Sequence, residues 1–248
     1  MKYYVVSDVH GFYTQMISAL TAAGFFTDQE PHKLIICGDV FDRGNEAPAM
    51  QQFVLDLMHE DKVILIRGNH EDLFSSLVNE DKGIGHPHHL SNGTFSSALQ
   101  LTGFDPTTAR INNCDFAKAA RETPFYKEIL PAMADYYETD NYVFVHGWIP
   151  GVYRRRYYHY FSDWRECGLT EWEAARWYNG MVCISSTYEE KTIVCGHYHT
   201  SYGHCRIEEK CSEFGPDADF SPYIAPGIIA IDACTAHSGI VNCIVIED

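Results

Sequence analysis

The sequence predicts an α/β fold in which parallel strands alternate with helices. Short apolar runs rich in valine and isoleucine are separated by amphipathic segments of helix length, a pattern typical of βαβ units. The chain has 248 residues, of which 46% are hydrophobic, enough for one sizeable core. Charged residues make up 21%, which argues against disorder. We therefore expect residues 1–248 to form a single domain.

The first third of the chain predicts three successive strand–helix pairs. The expected strands cover residues 2–6, 33–37 and 62–66. The expected helices cover residues 12–23, 46–60 and 71–80. The first of these helices ends at Gly24, because glycine readily adopts the left-handed conformation that closes a helix.

The middle of the chain departs from this alternation. Residues 81–94 are rich in glycine, proline, asparagine and histidine and predict a loop. Helices are expected to follow as far as about Met133, so residues 71–140 form a helical insertion.

The second half predicts further strands around an aromatic, basic segment. Residues 142–146 and 192–195 read as buried strands. Between them we expect an aromatic and basic loop at residues 151–164 and a helix at 170–178. The final apolar runs, 227–232 and 239–247, predict an antiparallel finish.

The bulk composition excludes several functional classes. The net charge of −16 disfavours nonspecific binding to nucleic acid or anionic lipid. No apolar run reaches eighteen residues, so no membrane span is expected. The N-terminal sequence MKYYVVSDVHG turns polar too early for a signal peptide, and the nine cysteines form no CxxC pair. These features predict a cytoplasmic protein with reduced thiols.

Every predicted buried strand is followed by polar side chains with ligand chemistry. The five strand ends read SDVHG, GDVFDRG, RGNHE, VHG and CGHYHTS. They supply seven candidate ligands, namely Asp8, His10, Asp39, Asn69, His146, His197 and His199. Open α/β sheets bind their ligands at the carboxyl ends of the strands.

This mixture of oxygen and imidazole groups suits divalent cations. Seven ligands are too many for one ion that keeps an open position, and they suit two ions bridged by a carboxylate. Asp39 is in the middle of the set and is the candidate bridge. Glycines beside it, Gly38 and Gly44, let the backbone approach the ions closely.

These motifs resemble those of the calcineurin-like metallophosphoesterase superfamily. The resemblance is to its PPP branch, which holds serine/threonine protein phosphatases and symmetrical diadenosine tetraphosphatases. The shared blocks are DxHG, GDxxDRG, RGNHE, HG and GHxH, in family order. The resemblance implies a four-layer α/β/β/α sandwich with mixed sheets. Residues 231–248 also resemble the closing β-hairpin of that family.

Carried over residue by residue, the resemblance implies a division of labour in the site. Asp8, His10 and His199 would hold one ion, and Asn69, His146 and His197 the other, with Asp39 bridging. Asp42 and His70 would form a dyad, while Arg43 and Asn69 would contact the substrate phosphate. Manganese is the usual bacterial metal of the family, with iron or zinc as alternatives.

The expected reaction is in-line attack on phosphorus by a metal-bridging hydroxide, since coordination lowers the pKa of bound water toward ~7. His70 would protonate the departing oxygen while Asp42 fixes its tautomer. The sequence has no CxxxxxR nucleophile motif, which disfavours a cysteine-based route.

Several roles stay open at the level of sequence. His199 departs from the PPP pattern, and the second phosphate-binding arginine could be Arg154, Arg155, Arg156 or Arg176. His86, His88 and His89 could line the entrance or simply be solvated. The cysteines and histidine at 195, 204, 205 and 211 fit no familiar zinc knuckle. The aromatic run 157–161 could stack a nucleobase or anchor a loop.

Three functions compete. The leading one is a serine/threonine protein phosphatase-like phosphomonoesterase. The alternative is a symmetrical bis(5'-nucleosyl)-tetraphosphatase or another nucleotide phosphoanhydride hydrolase, favoured by residues 89–99, which resemble the NGG-T segment of those enzymes. The third is a non-catalytic binding module, which the complete ligand set disfavours. The partner is thus a phosphorylated substrate, either a phosphoprotein or a nucleotide.

Overall fold

Strands and helices alternate through the computed structural model, which describes residues 1–79, 87–184 and 191–248. The strands in these ranges are β1 Lys2–Val6, β2 His32–Cys37, β3 Val63–Ile66, β4 Tyr137–Glu138, β5 Tyr142–Phe144, β6 Gly151–Arg154, β7 Tyr157–Tyr160, β8 Thr192–Cys195, β9 Tyr223–Ala225, β10 Ile228–Ala230 and β11 Ile244–Glu247. The α-helices are α1 Tyr13–Ala23, α2 Ala47–His59, α3 Asn69–Asn79, α4 Pro87–Ser91, α5 Thr94–Thr102, α6 Pro106–Ile111, α7 Asn113–Arg121, α8 Leu130–Ala132, α9 Leu169–Ala175, α10 Gly180–Cys183 and α11 Thr235–Ser238.

Two mixed sheets form the centre of the molecule. The first has the order β11-β1-β2-β3, in which β1, β2 and β3 are parallel and β11 is antiparallel to β1. The second has the order β4-β5-β8-β10-β9, in which β5, β8 and β10 are parallel and the two edge strands are antiparallel. The parallel strands confirm the βαβ prediction for the first third of the chain.

The strands of the first sheet are buried on both faces. In β1, Tyr3 and Val5 pack against the second sheet, whereas Tyr4 and Val6 pack against the helices. Successive side chains of a strand point to opposite faces, so one apolar run supplies two cores. Helices α1 and α2 cover the outer face, with Met16 of α1 in that core.

The second sheet repeats this arrangement. Phe144 and Val194 join the core between the sheets, while Val143 and Ile193 pack outward against a tryptophan-rich layer. That outer layer contains Trp148, Trp164 and Trp172. Helical layers therefore enclose two sheets packed face to face, which confirms the expected α/β/β/α sandwich.

Three local predictions were wrong. The segment expected as an aromatic, basic loop forms the hairpin β6–β7, because Tyr158 alternates inward and is fully buried. Within residues 81–94, helix α4 forms at Pro87–Ser91, since proline suits a first helical turn. Strands β10 and β11, both in the described part of the chain, belong to different sheets and form no closing hairpin, because α11 redirects the chain between them.

Helices α3 to α8 occupy most of the stretch expected to be a helical insertion. Phe95, Phe116 and Phe125 bind this helical segment to the outer core of the first sheet. Among the described residues, none of the helices is long and apolar enough to cross a bilayer.

Candidate metal centre

The ends of neighbouring parallel strands bring the predicted site residues together. Strands β1, β2 and β3 pair side by side, as do β5 and β8, so each sheet delivers its following loops to one edge. Backbone bonds then join these loops. His10 N–H donates to Asp39 O at 2.9 Å, and Gly196 N–H donates to His146 O at 2.8 Å.

The backbone at the site is locally left-handed. Six predicted site residues have φ between 47° and 77°, namely Asp8, His10, Asp39, Asp42, Arg43 and His197. Such a conformation costs a residue other than glycine about 1–2 kcal/mol. Strain of this kind collects at functional sites, where the surrounding structure holds it in place.

Asp39 lies at the centre of two side-chain clusters that could each hold a cation. In the first, Asp39 Oδ2 is 3.7 Å from His10 Nε2 and 3.8 Å from His70 Nε2. In the second, Asp39 Oδ1 is 3.4 Å from His146 Nε2, with His197 alongside. The two oxygens of one buried carboxylate thus face two different clusters.

Backbone carbonyls fix the tautomers of two histidines, one in each cluster. His10 Nδ1–H donates to Phe41 O at 3.0 Å, and His146 Nδ1–H donates to Cys37 O at 2.8 Å. Each bond leaves the Nε2 lone pair directed into the site. This carbonyl support is the usual second layer of a histidine that binds metal.

Acceptor atoms converge in the second cluster. Asn69 Oδ1 is 2.8 Å from His146 Nε2 and 2.9 Å from His197 Nδ1. Burial lowers the pKa of both histidines and so favours neutral rings. Neutral imidazole, amide oxygen and carboxylate facing one another are the donor set that a divalent cation satisfies.

Buried carboxylates add negative charge beneath the clusters. Burial raises the pKa of Asp8 to about 6 and also raises the pKa of Asp39. Asp232 is buried beside them, and burial together with the charge of Asp8 raises its pKa well above the usual range. Closely spaced buried carboxylates are costly without a compensating cation, so the residues present fit bound metal.

His70 is a member of the first cluster, and Asp42 and Arg43 lie beside it. His70 Nδ1–H donates to Asp42 Oδ2 at 2.7 Å, and its Nε2 is 3.2 Å from Arg43 Nη2. Burial opposes the charged form of His70, but the carboxylates of Asp39 and Asp42 outweigh it and raise its pKa to about 9. A buried, oriented imidazolium beside an exposed guanidinium can donate a proton and hold an anion.

Glu71 was not recognised from the sequence as a site residue. Its buried carboxylate accepts three backbone N–H bonds, from Gly68, Asp39 and Val40, at 2.8, 3.0 and 3.0 Å. It therefore joins the loops after β2 and β3. The signal was present in the RGNHE block, where a glutamate follows the ligand-bearing residues.

Gly38 explains why the loop after β2 begins with glycine. Its φ is +81°, and an added Cβ would lie 2.6 Å from His146 Nδ1 and 2.7 Å from Gly68 Cα. Only glycine lets the two sheets approach this closely at the site.

Two of the seven predicted ligands lie outside the clusters that the described residues form. Asp8 Oδ2 accepts from the backbone N–H of His197 at 2.9 Å and from the Ser7 hydroxyl. His199 Nε2 is 3.0 Å from Glu213 Oε1, in a segment that the sequence did not connect with the site. Motif spacing does not reveal such a contact.

The candidate phosphate-binding arginines separate into two groups. Arg176 is buried and forms ion pairs with Asp72 and Asp135. Arg154, Arg155 and Arg156 are exposed in and after β6, at the turn of the β6–β7 hairpin.

The remaining open residues have the following positions. His86 lies outside the described residues, whereas His88 is exposed and His89 buried in α4. His204 bonds Glu208 at 2.7 Å and Ser221 O at 3.2 Å. Within the described ranges, no potential metal group includes it. In the aromatic run, Tyr157 is exposed and Tyr158 is buried.

Comparison with known proteins places these motifs in one family. The family described as calcineurin-like phosphoesterase matches residues 1–221. Two curated relatives are the asymmetrical bis(5'-nucleosyl)-tetraphosphatases PrpE of Bacillus velezensis, 26% identical over 133 residues, and of Bacillus subtilis, 25% identical over 133 residues. The alignments cover 51% of this chain and 51% and 52% of those relatives, so the chain spans about half their length.

Solved structures share the fold at low identity. A cold-active protein tyrosine phosphatase of a psychrophilic Shewanella species superposes with a TM-score of 0.59 and 18% identity, covering 100% of this chain and 75% of that one. A protein serine/threonine phosphatase of Saccharomyces cerevisiae, similar to human PP5, gives a TM-score of 0.50 and 13% identity, covering 100% and 80%. These similarities show the common fold.

Proposed function

From the premise that the chain belongs to the calcineurin-like phosphoesterase family, we propose that it hydrolyses phosphomonoesters, with phosphoserine and phosphothreonine in proteins as the leading substrates. Membership in this family makes it a hydrolase that acts on phosphoric esters. The observation that carries the proposal is the sharing of Asp39 by two histidine clusters, the first of which contains His70 and adjoins Arg43.

Two divalent cations are the proposed cofactor, with manganese first and iron or zinc as alternatives. The proposed ligands are Asp8, His10, Asp39, Asn69, His146, His197 and His199. His199 would join this set only by giving up its hydrogen bond to Glu213. When bound, such ions supply Lewis acidity and a water molecule activated near neutral pH.

The residues of the chain supply binding and proton transfer. The Arg43 guanidinium is exposed, and its Nη1 and Nη2 lie 3.0 Å from His10 Nε2 and 3.2 Å from His70 Nε2. A phosphoryl group held there would be beside the first cluster, which shares Asp39 with the second, and Asn69 is proposed as its further contact. His70 would give its Nε2 proton to the departing oxygen, because Asp42 holds the opposite ring nitrogen.

A second candidate is hydrolysis of a phosphoanhydride in a dinucleoside polyphosphate. The tetraphosphatases among the relatives favour it, as does the resemblance of residues 89–99 to the NGG-T segment. The same cation clusters and arginine would serve both reactions. A non-catalytic binding role is disfavoured because the proton donor His70 and its partner Asp42 are both present.

Hydrolysis of three substrates by the purified chain with Mn²⁺ tests the proposal. We expect release of p-nitrophenol from p-nitrophenyl phosphate and of phosphate from a phosphoserine peptide, both abolished in His70→Asn. Chromatography of the products formed from diadenosine tetraphosphate shows whether the chain catalyses the second candidate reaction. Exclusive release of ADP would reverse the ranking, since it shows cleavage of the central anhydride; release of ATP and AMP would show cleavage nearer one end.

The cellular location proposed is the cytoplasm. All nine cysteines are free, as expected of a reducing compartment.

A further inference from the structure

The Asp42 carboxylate is held from two sides. Its Oδ2 accepts a hydrogen bond from His70 Nδ1–H at 2.7 Å and another from the Thr94 hydroxyl, also at 2.7 Å. Thr94 is 0% exposed and Asp42 is 1% exposed. The backbone N–H of Asp42 also donates to Ser97 Oγ at 2.8 Å. The first turn of α5 therefore contacts both ends of this residue.

Gly93 allows this close approach. It precedes α5 with φ +86°, and an added Cβ would lie 2.4 Å from the backbone nitrogen of Arg43. The start of α5 is packed directly on the Asp42–Arg43 backbone, so the Thr94 hydroxyl has little freedom to leave the carboxylate.

We infer that Thr94 is a positioning residue for proton donation by His70, an inference that rests on the proposed function. Two donors on one oxygen prevent the carboxylate from rotating without losing a buried hydrogen bond. A fixed Asp42 keeps the Nδ1–H of His70 engaged and leaves Nε2 to carry the transferable proton. As the bond from phosphorus to the leaving oxygen breaks, that oxygen keeps the electron pair and takes this proton. A water oxygen forms the new bond to phosphorus and loses one proton to solvent, and solvent returns a proton to His70 Nε2.

The inference predicts a dependence on the leaving group. Proton donation matters most when the departing oxygen is strongly basic, so loss of positioning should affect phenyl phosphate more than p-nitrophenyl phosphate. If Thr94 only filled space, its substitution would lower kcat for both substrates equally. The threonine-to-serine change keeps the hydroxyl, and the threonine-to-valine change keeps the shape.

Steady-state kinetics of Thr94→Val, Thr94→Ser and Thr94→Ala provide the test. We expect Thr94→Val and Thr94→Ala to lower kcat for phenyl phosphate about 10-fold and for p-nitrophenyl phosphate less than 3-fold, with KM unchanged. Thr94→Ser should keep at least half of the wild-type kcat on both. The matched control is Thr102→Val on the same helix, whose hydroxyl bonds to Ala98 O, and which should match wild type. If Thr94→Val does not fold, the serine and alanine pair isolates the hydroxyl.

A metal-free spectrum gives an independent readout. The Nδ1–H proton of His70 should be visible in ¹H NMR of the wild type and Thr94→Ser, and broadened in Thr94→Val and Thr94→Ala. Equal loss of kcat on both substrates, failure of serine to rescue, or an unchanged Nδ1–H signal would overturn the inference while leaving the proposed function intact. Wild-type protein inactive on both aryl phosphates would overturn the proposed function and the inference with it.

Discussion

The two sheets contribute to the site in different ways. The first sheet supplies Asp39 and His70 from short loops after adjacent parallel strands. The Glu71 carboxylate joins those loops by accepting hydrogen bonds from three backbone N–H groups. The second sheet supplies His146 and His197, which reach the site through contacts with the first sheet, such as His146 with Cys37 O. The first part of the site is therefore held by contacts within one sheet, whereas the second depends on contacts between the two sheets.

This difference has a consequence for each ligand. Asp39 is a member of both clusters. Its substitution should therefore disturb the parts of the site that both sheets supply. His199, at the far end of the second sheet's contribution, is held by Glu213 in the long segment before β9. Substitutions in the site should therefore reduce activity most at Asp39 and less at positions in the outer parts of the second sheet's contribution.

The largest effect is expected for Asp39→Asn. It removes the negative charge that the two clusters share, and cation stabilisation is worth several kcal/mol, so hydrolysis of p-nitrophenyl phosphate should fall about 10³-fold. Bound manganese measured by elemental analysis should fall as well. The matched control, Asp56→Asn at an exposed position of α2, should keep full activity and metal content. Retention of two ions per chain by Asp39→Asn would contradict the shared role.

The next largest effect is expected on stability, for Arg176→Met. Its buried guanidinium pairs with Asp72 of α3 and with Asp135 before β4, which ties the two halves together. Removing it takes from Asp135 its ion pair with Arg176 and leaves Asp72 paired with Arg67, so the free energy of unfolding in urea should fall by about 3 kcal/mol.

Arg165→Met is the control for that measurement. Arg165 is 35% exposed and pairs with Glu138 within the second half, so its loss should cost only about 1 kcal/mol. Equal losses of unfolding free energy for the two variants would show that the ion pairs of Arg176 between the halves stabilise the fold no more than an exposed pair does.

Within the second sheet, His146→Ala should reduce activity more than His199→Ala. His146 is buried with its Nε2 facing Asp39, whereas His199 lies outside the clusters of the described residues. We expect losses of kcat of about 100-fold and about 10-fold, respectively. Manganese titration followed by calorimetry should show the same order. A larger loss for His199→Ala would mean that metal binding draws this side chain away from Glu213.

The smallest effect concerns an ion pair remote from the site. The hydrogen bond from Arg165, against burial and with help from Lys191, lowers the pKa of Glu138 from its ordinary value of 4.5 to about 2. A lowered pKa stabilises the fold above pH 4.5, and that contribution is lost as pH falls toward 2. Solvent screening limits it to about 1 kcal/mol.

Urea unfolding of wild type and Glu138→Gln at pH 7 and pH 3 measures this contribution. The difference in unfolding free energy between them should be full at pH 7 and less than half as large at pH 3. Glu128→Gln, an exposed glutamate, should show little difference at either pH.

The sequence predicted the first sheet and its loops well. Alternation of apolar runs and helices is a local property, and it gave β1, β2 and β3 with boundaries close to those observed. The contacts that Thr94 and Glu213 make could not be predicted, because each contacts a residue more than ten positions away along the chain. The hairpin β6–β7 was not predicted, because the burial of Tyr158 that favours it is visible only in the structure.

The amino-acid sequence by itself determined the fold class and the family, and it predicted the candidate site residues, because strand periodicity and short motifs at strand ends are local. Only the tertiary structure decided which of those residues meet. It placed Asp39 between two histidine clusters, Thr94 on Asp42, and Glu213 on His199. Hydrogen bonds and cation sites depend on distances of about 3 Å between atoms, and only the packing of separate segments sets such distances.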